Sequence, residues 1–318
     1  MKEKKLMRDI FIEAVWKQMQ KDRMIFFLCG DFGAVSLDNI RRDFCDRFIN
    51  TGIAEQNLIN VAVGLALEKY TVYAYGIAPF LTMRPYEQIR NLSIIAQVKE
   101  LNVNLIGVGA GLSYDLSGPS HHCYEDISIM RLLPNIEVFS PSDLVLTEKF
   151  ADIAVACKYP KYIRLDGKPV SRVYPENISI KKGFCELKTG SDICLVSTGY
   201  MTGVSLEVSE ELSCAGVDIG LVDIFTMKRL NKNNLFSVLK NYRWIITLEE
   251  GFIGGGGLDG LIADLLSEKD SLIRLKKLGF KKGYVFENGD RLQLHRMNKI
   301  DGKNLKKIVE KLWKGKKY

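Results

Sequence analysis

The chain has 318 residues, 47% hydrophobic and 26% charged, a globular composition long enough for two domains, and no apolar run approaches the roughly 20 residues of a membrane span. Its net charge of +7 invites a nucleic-acid reading, but much of the excess clusters at Lys303, Lys306, Lys307, Lys311, Lys314, Lys316 and Lys317 with no aromatic RNA-binding motif beside it, so we read a solvated basic tail and expect neither a nucleic-acid nor a membrane partner. Seven cysteines lack CxxC spacing, and the start, Met1 to Lys5, leads into a mixed segment without an apolar core, so the expectation is a reduced, cytoplasmic protein with no signal peptide.

Along the chain, helix and strand patterns alternate. Residues 6–20 form an amphipathic helix pattern, and 24–29 an apolar strand ending at Gly30-Asp31. Helix 57–69, strand 71–75, helix 85–98 and strand 102–108 follow, then a glycine-rich loop, helix 142–157 and strand 161–165. Residues 167–182, with Pro169 and Pro175, read as a linker. A second unit carries strand 193–197, helix 202–214, strands 218–223 and 244–248, and helix 258–267. This order specifies an α/β fold of two doubly wound domains with mainly parallel sheets, divided as 1–175 and 176–318.

Ligands in such sheets bind at the carboxyl ends of the strands. Four segments fall there: Gly30-Asp31, Gly52 to Gln56, Tyr75 to Phe80, and Gly107 to His122. Glu55 follows a glycine turn at the mouth of a small-residue helix, where a carboxylate needs a partner to offset its desolvation; it serves either catalysis or the positive end of that helix. Two of the three histidines, His121 and His122, are adjacent on a loop opened by Gly109, Gly111 and Gly118. Such histidines suit acid–base work or service as polar ligands, the alternative being a capping or hydrogen-bonding role for the next helix. No carboxylate or cysteine stands at metal-ligand spacing from them, so no metal site is read on this chain.

Several motifs, in order, resemble one family. Gly52-Ile53-Ala54-Glu55-Gln56-Asn57 is similar to the catalytic-glutamate motif of the transketolase family of thiamine diphosphate enzymes. Phe80 with Arg84-Pro85-Tyr86-Glu87-Gln88-Ile89-Arg90-Asn91 resembles its aminopyrimidine-stacking segment. Gly118-Pro119-Ser120-His121-His122 with Glu125-Asp126 resembles its active-site histidine loop, and Glu249-Glu250-Gly251 through Gly257 the glycine turn of its C-terminal domain. The resemblance implies a pyrimidine-binding domain followed by a transketolase C-terminal domain. It assigns catalysis to Glu55 and His121, and cofactor contacts to Glu55, Phe80, Ile53 and Tyr86. Glu55 would share a proton with the cofactor's pyrimidine ring, its pKa raised by burial, and Phe80 would stack on that ring or pack in the core.

The resemblance also says what another chain must supply. The family holds the cofactor's diphosphate and Mg²⁺ on a separate domain; Gly30-Asp31-Phe32-Gly33 imitates that motif but belongs to the first strand here. A partner chain, the N-terminal half of a split transketolase, would carry it, in an α₂β₂ assembly acting on sugars or sugar derivatives. In the substrate pocket, Ser117 stands where the family has an aspartate, with Asp115 close by. The family's phosphate-contacting histidine and arginine fall at Gly109 and Gly167, leaving Arg164 and Lys168 as candidate phosphate ligands beside His121 and His122. An altered acceptor is therefore expected. Two other readings remain open: the β subunit of a 2-oxoacid dehydrogenase E1 component, and a catalytically silent scaffold. The run Gly254 to Gly257 meets the dinucleotide-binding spacing only loosely, and is read instead as close backbone packing at a dimer contact.

Overall fold

The computed structural model describes residues 5–281 and 283–314; the expectations for Met1 to Lys4, Lys316 and Lys317 fall outside the described residues. Its strands are β1 (Ile25–Cys29), β2 (Phe48–Asn50), β3 (Thr71–Ile77), β4 (Val103–Val108), β5 (Glu137–Phe139), β6 (Lys161–Leu165), β7 (Phe184–Lys188), β8 (Asp192–Ser197), β9 (Gly220–Ile224), β10 (Tyr242–Phe252) and β11 (Arg274–Phe280). Its helices are α1 (Met7–Lys21), α2 (Leu37–Asp43), α3 (Glu55–Leu67), α4 (Ala78–Met83), α5 (Tyr86–Ile95), α6 (Asp126–Leu132), α7 (Leu144–Ala156), α8 (Tyr200–Cys214), α9 (Lys232–Leu239), α10 (Leu258–Glu268), α11 (Arg291–Asn298) and α12 (Gly302–Lys314).

The first six strands form one parallel sheet, ordered β2-β1-β3-β4-β6-β5. Strand alternation divides its side chains between two helical layers. Leu28, Val72, Ala74 and Leu105 pack against α3, α5 and α6 through Leu58, Ile59, Ala62, Leu92 and Met130. Phe27, Tyr73, Tyr75 and Ile163 face α1, α2 and α7 through Phe11, Val15, Ile40 and Phe150. The second sheet, β11-β10-β8-β9-β7, is parallel except for β7, which runs antiparallel to β9. Residues 166–183 between the sheets hold no helix or strand, as the prolines imply. Among the described residues, no helix is long and apolar enough to cross a membrane.

Short or mixed elements escaped the sequence reading: α2, β2, β5, β7, α9, β11 and α11. Each is too brief, or too dependent on its neighbours, to show a clear period. The three-residue β5 is completed by the other domain, since Met227 donates its N–H to the Val138 carbonyl at 2.9 Å and Glu137 accepts the Lys228 and Arg229 N–H groups at 3.0 and 2.9 Å. Within the chain, the last residue of the glycine run packs closely on its neighbours. A side chain at Gly257 would collide with the Glu249 carboxylate, which caps α10 through Leu258 and Asp259. The Gly257 carbonyl accepts Arg131 of the first domain at 2.6 Å.

Arg164 is the clearest departure from expectation. It lies on β6 fully within the core, donating Nε at 2.8 Å and Nη2 at 3.2 Å to the Asp126 carboxylate, which also accepts the Tyr162 hydroxyl. It fixes α6 to the sheet and is closed to a substrate phosphate. Removing one partner of such a pair leaves an uncompensated charge. Asp126→Ala should cost about 3–5 kcal/mol, read as a lowered urea midpoint; a loss below about 1 kcal/mol would show that Arg164 reaches solvent.

Candidate active site

The strand order reverses direction between β1 and β3, which opens a crevice at their carboxyl ends. Gly30 leaves β1 there, its N–H bonded to the Tyr75 carbonyl. Asp31, in the left-handed region at φ 56°, exchanges hydrogen bonds of 3.0 Å with Asn50, so it closes a turn. Gly52, at φ 73°, then brings the chain around to α3. Glu55 is the first residue of that helix and only 8% exposed. Its place in the first turn sets a carboxylate at the positive end of the helix, a favourable placement.

Glu55 has a partner that was part of a quoted motif but was given no task. Arg84, between α4 and α5, donates Nη1 to Glu55 Oε1 at 2.7 Å. The same guanidinium lies 4.2 Å from the centroid of the Phe80 ring. Phe80 sits on α4, directly after β3, and meets the His121 ring edge-on at 5.1 Å. Glu55, Phe80, Arg84 and His121 therefore surround one mouth. Ile53 stands on its rim, 75% exposed. The signal for Arg84 in the sequence was a cation one α-helical turn beyond Phe80; only the fold shows that it bends back to Glu55.

The neighbouring positions separate into those turned to the mouth and those held inside. His121 is half-buried, with Nδ1 3.1 Å from the Ser120 hydroxyl, and Ser117 is exposed on the same loop. A cavity of about 310 Å³ opens beside them, bounded by Met83, Ser120, His122, Glu125, Tyr284 and Phe286. Burial raises the Glu125 carboxyl above its ordinary range, and the Tyr284 hydroxyl partly opposes this. His122 borders the same cavity but is almost wholly buried, with Nε2 3.2 Å from the Asp115 carbonyl and Nδ1 2.9 Å from the Tyr124 hydroxyl. Asp115 is buried as well, and Lys168 is drawn onto its carboxylate. Tyr86 gives its hydroxyl to the Ile129 carbonyl at 2.8 Å and packs on the core, joining α5 to α6. We therefore correct the sequence reading of Asp115 and Tyr86, which are committed to the protein's own structure; His122 borders the cavity, and Lys168, 39% exposed along its side chain, pairs with Asp115.

Tyr114 accounts for two glycines at this end of the sheet. A side chain at Gly109, which has φ 102°, would run into its ring, and one at Gly167 would come within 2.9 Å of it. The ring thus fills the space between the ends of β4 and β6.

Residues 3–169 match the family Transketolase, pyrimidine binding domain, and residues 185–296 match Transketolase, C-terminal domain. The chain belongs to the transketolase family. One of the subunits of apulose-4-phosphate transketolase from Actinobacillus succinogenes is 31% identical over 265 residues, covering 83% of this chain and 84% of that protein. The 6-deoxy-6-sulfo-D-fructose transketolase subunit SqwH of a Clostridium species is 28% identical, covering 86% and 84%. Human transketolase is 31% identical, but only 40% of its length is covered. A solved split-gene transketolase, an inactive β4 tetramer, superposes with a TM-score of 0.84 at 30% identity over 96% of this chain and 97% of that one. This transketolase-family chain thus corresponds to the half of a full-length enzyme that bears the pyrimidine-binding and C-terminal domains.

His122 gives a pH signature. Burial holds its imidazole below the ordinary range, against the Asp115 carbonyl, which favours the proton. A histidine depressed in the fold stabilises above its unfolded pKa of about 6.5, and that stability is lost as the pH falls below it. In His122→Gln the melting temperature should change less between about pH 7.5 and 5 than in the parent. Parallel melting curves would mean that the ring is hydrated.

Proposed function

We propose that this chain is one subunit of a thiamine diphosphate-dependent transketolase, transferring a two-carbon ketol unit from a ketose donor to an aldehyde or keto-sugar acceptor. The observation that carries this is the shared seat of Glu55, Phe80 and His121. The seat fits a flat ring with donor edges, because a flat donor group already satisfies it: the Arg84 guanidinium covers the Phe80 face while bonded to Glu55. An aminopyrimidine offers the same two contacts, and Arg84, 46% exposed along its side chain, can withdraw into solvent.

Bound thiamine diphosphate would supply the nucleophilic carbon of its thiazolium ring. Glu55 would hold the proton at the pyrimidine ring nitrogen, using a carboxylate kept from bulk water. Phe80 would fix the ring plane, with stacking of about 0.5–1.5 kcal/mol beyond the area it buries. His121 would hydrogen-bond substrate oxygens and move a proton at the reacting carbon. Among the described residues no cluster of His, Cys, Asp and Glu could hold a metal ion; Mg²⁺ and the diphosphate belong to the partner chain in this reading, in an α₂β₂ assembly. The inactive β4 state of the split-gene relative supports a chain that works only with its partner.

The acceptor we infer is a modified sugar. Tyr114 fills the space at Gly109 and Gly167, while Arg164 and Lys168 are held by Asp126 and Asp115. Two relatives named above act on unusual sugars, one a phosphate and the other a sulfo-sugar, which supports a specialised substrate.

Co-expression with a chain bearing the diphosphate-binding domain tests the reading. Calorimetry should show Mg²⁺-dependent thiamine diphosphate binding by the pair and none by this chain alone. Glu55→Ala should lower kcat by roughly 10²–10⁴-fold, the usual worth of a positioned acid–base group; unchanged activity would make the chain a scaffold. Ordinary pentose phosphates should turn over poorly, and family-typical rates with them would end the altered-acceptor proposal.

A further inference from the structure

The second domain packs on the histidine loop through apolar contacts to Leu112 and Tyr124, and it also meets the loop at two points that belong to one buried ionic cluster. The loop is closed at its neck by Gly111 and Cys123, which exchange backbone hydrogen bonds of 3.2 and 2.8 Å. Gly111, at φ 58°, lies flat against the Glu250 side chain, and a Cβ there would overlap that carboxylate. Midway along the loop, the Asp115 carboxylate accepts the backbone N–H of Arg291 at 2.6 Å and that of Leu116 at 2.8 Å. Its carbonyl holds His122, the neighbour of His121.

Arg291 and Glu250 are themselves joined. The Arg291 fork donates Nε to Glu250 Oε1 at 2.8 Å and Nη2 to Glu250 Oε2, while Nη1 lies 2.7 Å from Asp166 at the end of β6. His295 Nε2 adds a contact of 2.5 Å to Glu250. Burial alone would raise the Glu250 carboxyl, but Arg291 and His295 hold it well below the usual carboxylate range. Apolar side chains of equal volume often stabilise as well as a buried ionic cluster. What the cluster supplies is direction, because a bidentate fork fixes orientation as well as distance. The loop needs it: Gly109, Gly111 and Gly118 all have positive φ, and glycine leaves the backbone free to pivot.

We propose that Arg291 and Glu250 are positioning residues, clamping the loop at Gly111 and Asp115 and thereby aiming His121 at the mouth beside Phe80. The C-terminal domain then sets the geometry of the reacting end. The clamp deepens the transketolase reading and rests on it for the role of His121.

Asp115→Asn tests it gently, since the amide keeps the shape but turns a donor toward one of the N–H groups that the carboxylate accepts; Arg291→Lys keeps the charge and removes the fork. In the free chain, amide hydrogen exchange over residues 111–123 should rise roughly tenfold while β4 and β6 are unchanged. In the assembly with its partner, kcat should fall about 10–100-fold, the cost of a misplacement near 1 Å, with thiamine diphosphate affinity within about threefold of the parent. Turnover kept within twofold, or exchange rising evenly over the domain, would overturn the clamp. If the parent assembly binds no cofactor, the functional reading itself fails, and the exchange pattern alone decides for or against the clamp.

Discussion

A guanidinium buried between carboxylates of two domains is the interaction on which much else depends. Arg291 binds Asp166 of the first sheet and Glu250 of the second within the same fork. Neither carboxylate is stable in the interior alone, because desolvation penalises an unpaired charge by several kcal/mol. The domains must therefore meet in one arrangement, in which all three groups are paired. That arrangement brings residues 226–229 onto the edge of β5 and Arg131 onto the Gly257 carbonyl. The ionic pairs select the geometry, while the apolar cluster running from Leu28 and Leu105 to Val196 and Ile245 supplies the driving force.

The mouth at Glu55 follows a different rule. Here a buried carboxylate is satisfied by a half-exposed side chain that can leave. Arg84 meets the two needs of the seat, a donor for the carboxylate and a cover for the Phe80 face, without a core contact to hold it there. The seat proposed for a ring must be stable before the ring arrives, and an exposed arginine at a helix end achieves this at small cost, since half-exposed ion pairs are weak.

The sequence displayed the parts of this architecture that depend on period and on local turn chemistry. Long elements such as α1, α3, α7 and α8 were legible from their apolar spacing, and the crevice from the glycines that end the strands. What it concealed was produced by contact between distant residues. Nothing local to Tyr162-Ile163-Arg164 distinguishes a phosphate ligand from the buried partner of Asp126. His121 and His122 are adjacent and chemically identical, and only the packing of Tyr124 and Asp115 assigns one to the interior. Arg291 gave no signal, because its helix is short and its partners lie 41 and 125 positions away in the chain.

Tyr114 carries a consequence for how this chain could change. Its ring occupies the volume beside both Gly109 and Gly167, and Gly109 has a backbone angle that side chains resist. Introducing a histidine or an arginine at either glycine, with Tyr114 in place, meets a collision; trimming Tyr114 first leaves a void in its packing. A single replacement at any of the three positions therefore costs packing or backbone strain before a new contact can form. One aromatic side chain thus ties the identities of two distant glycines together, so that the three positions can change only in concert.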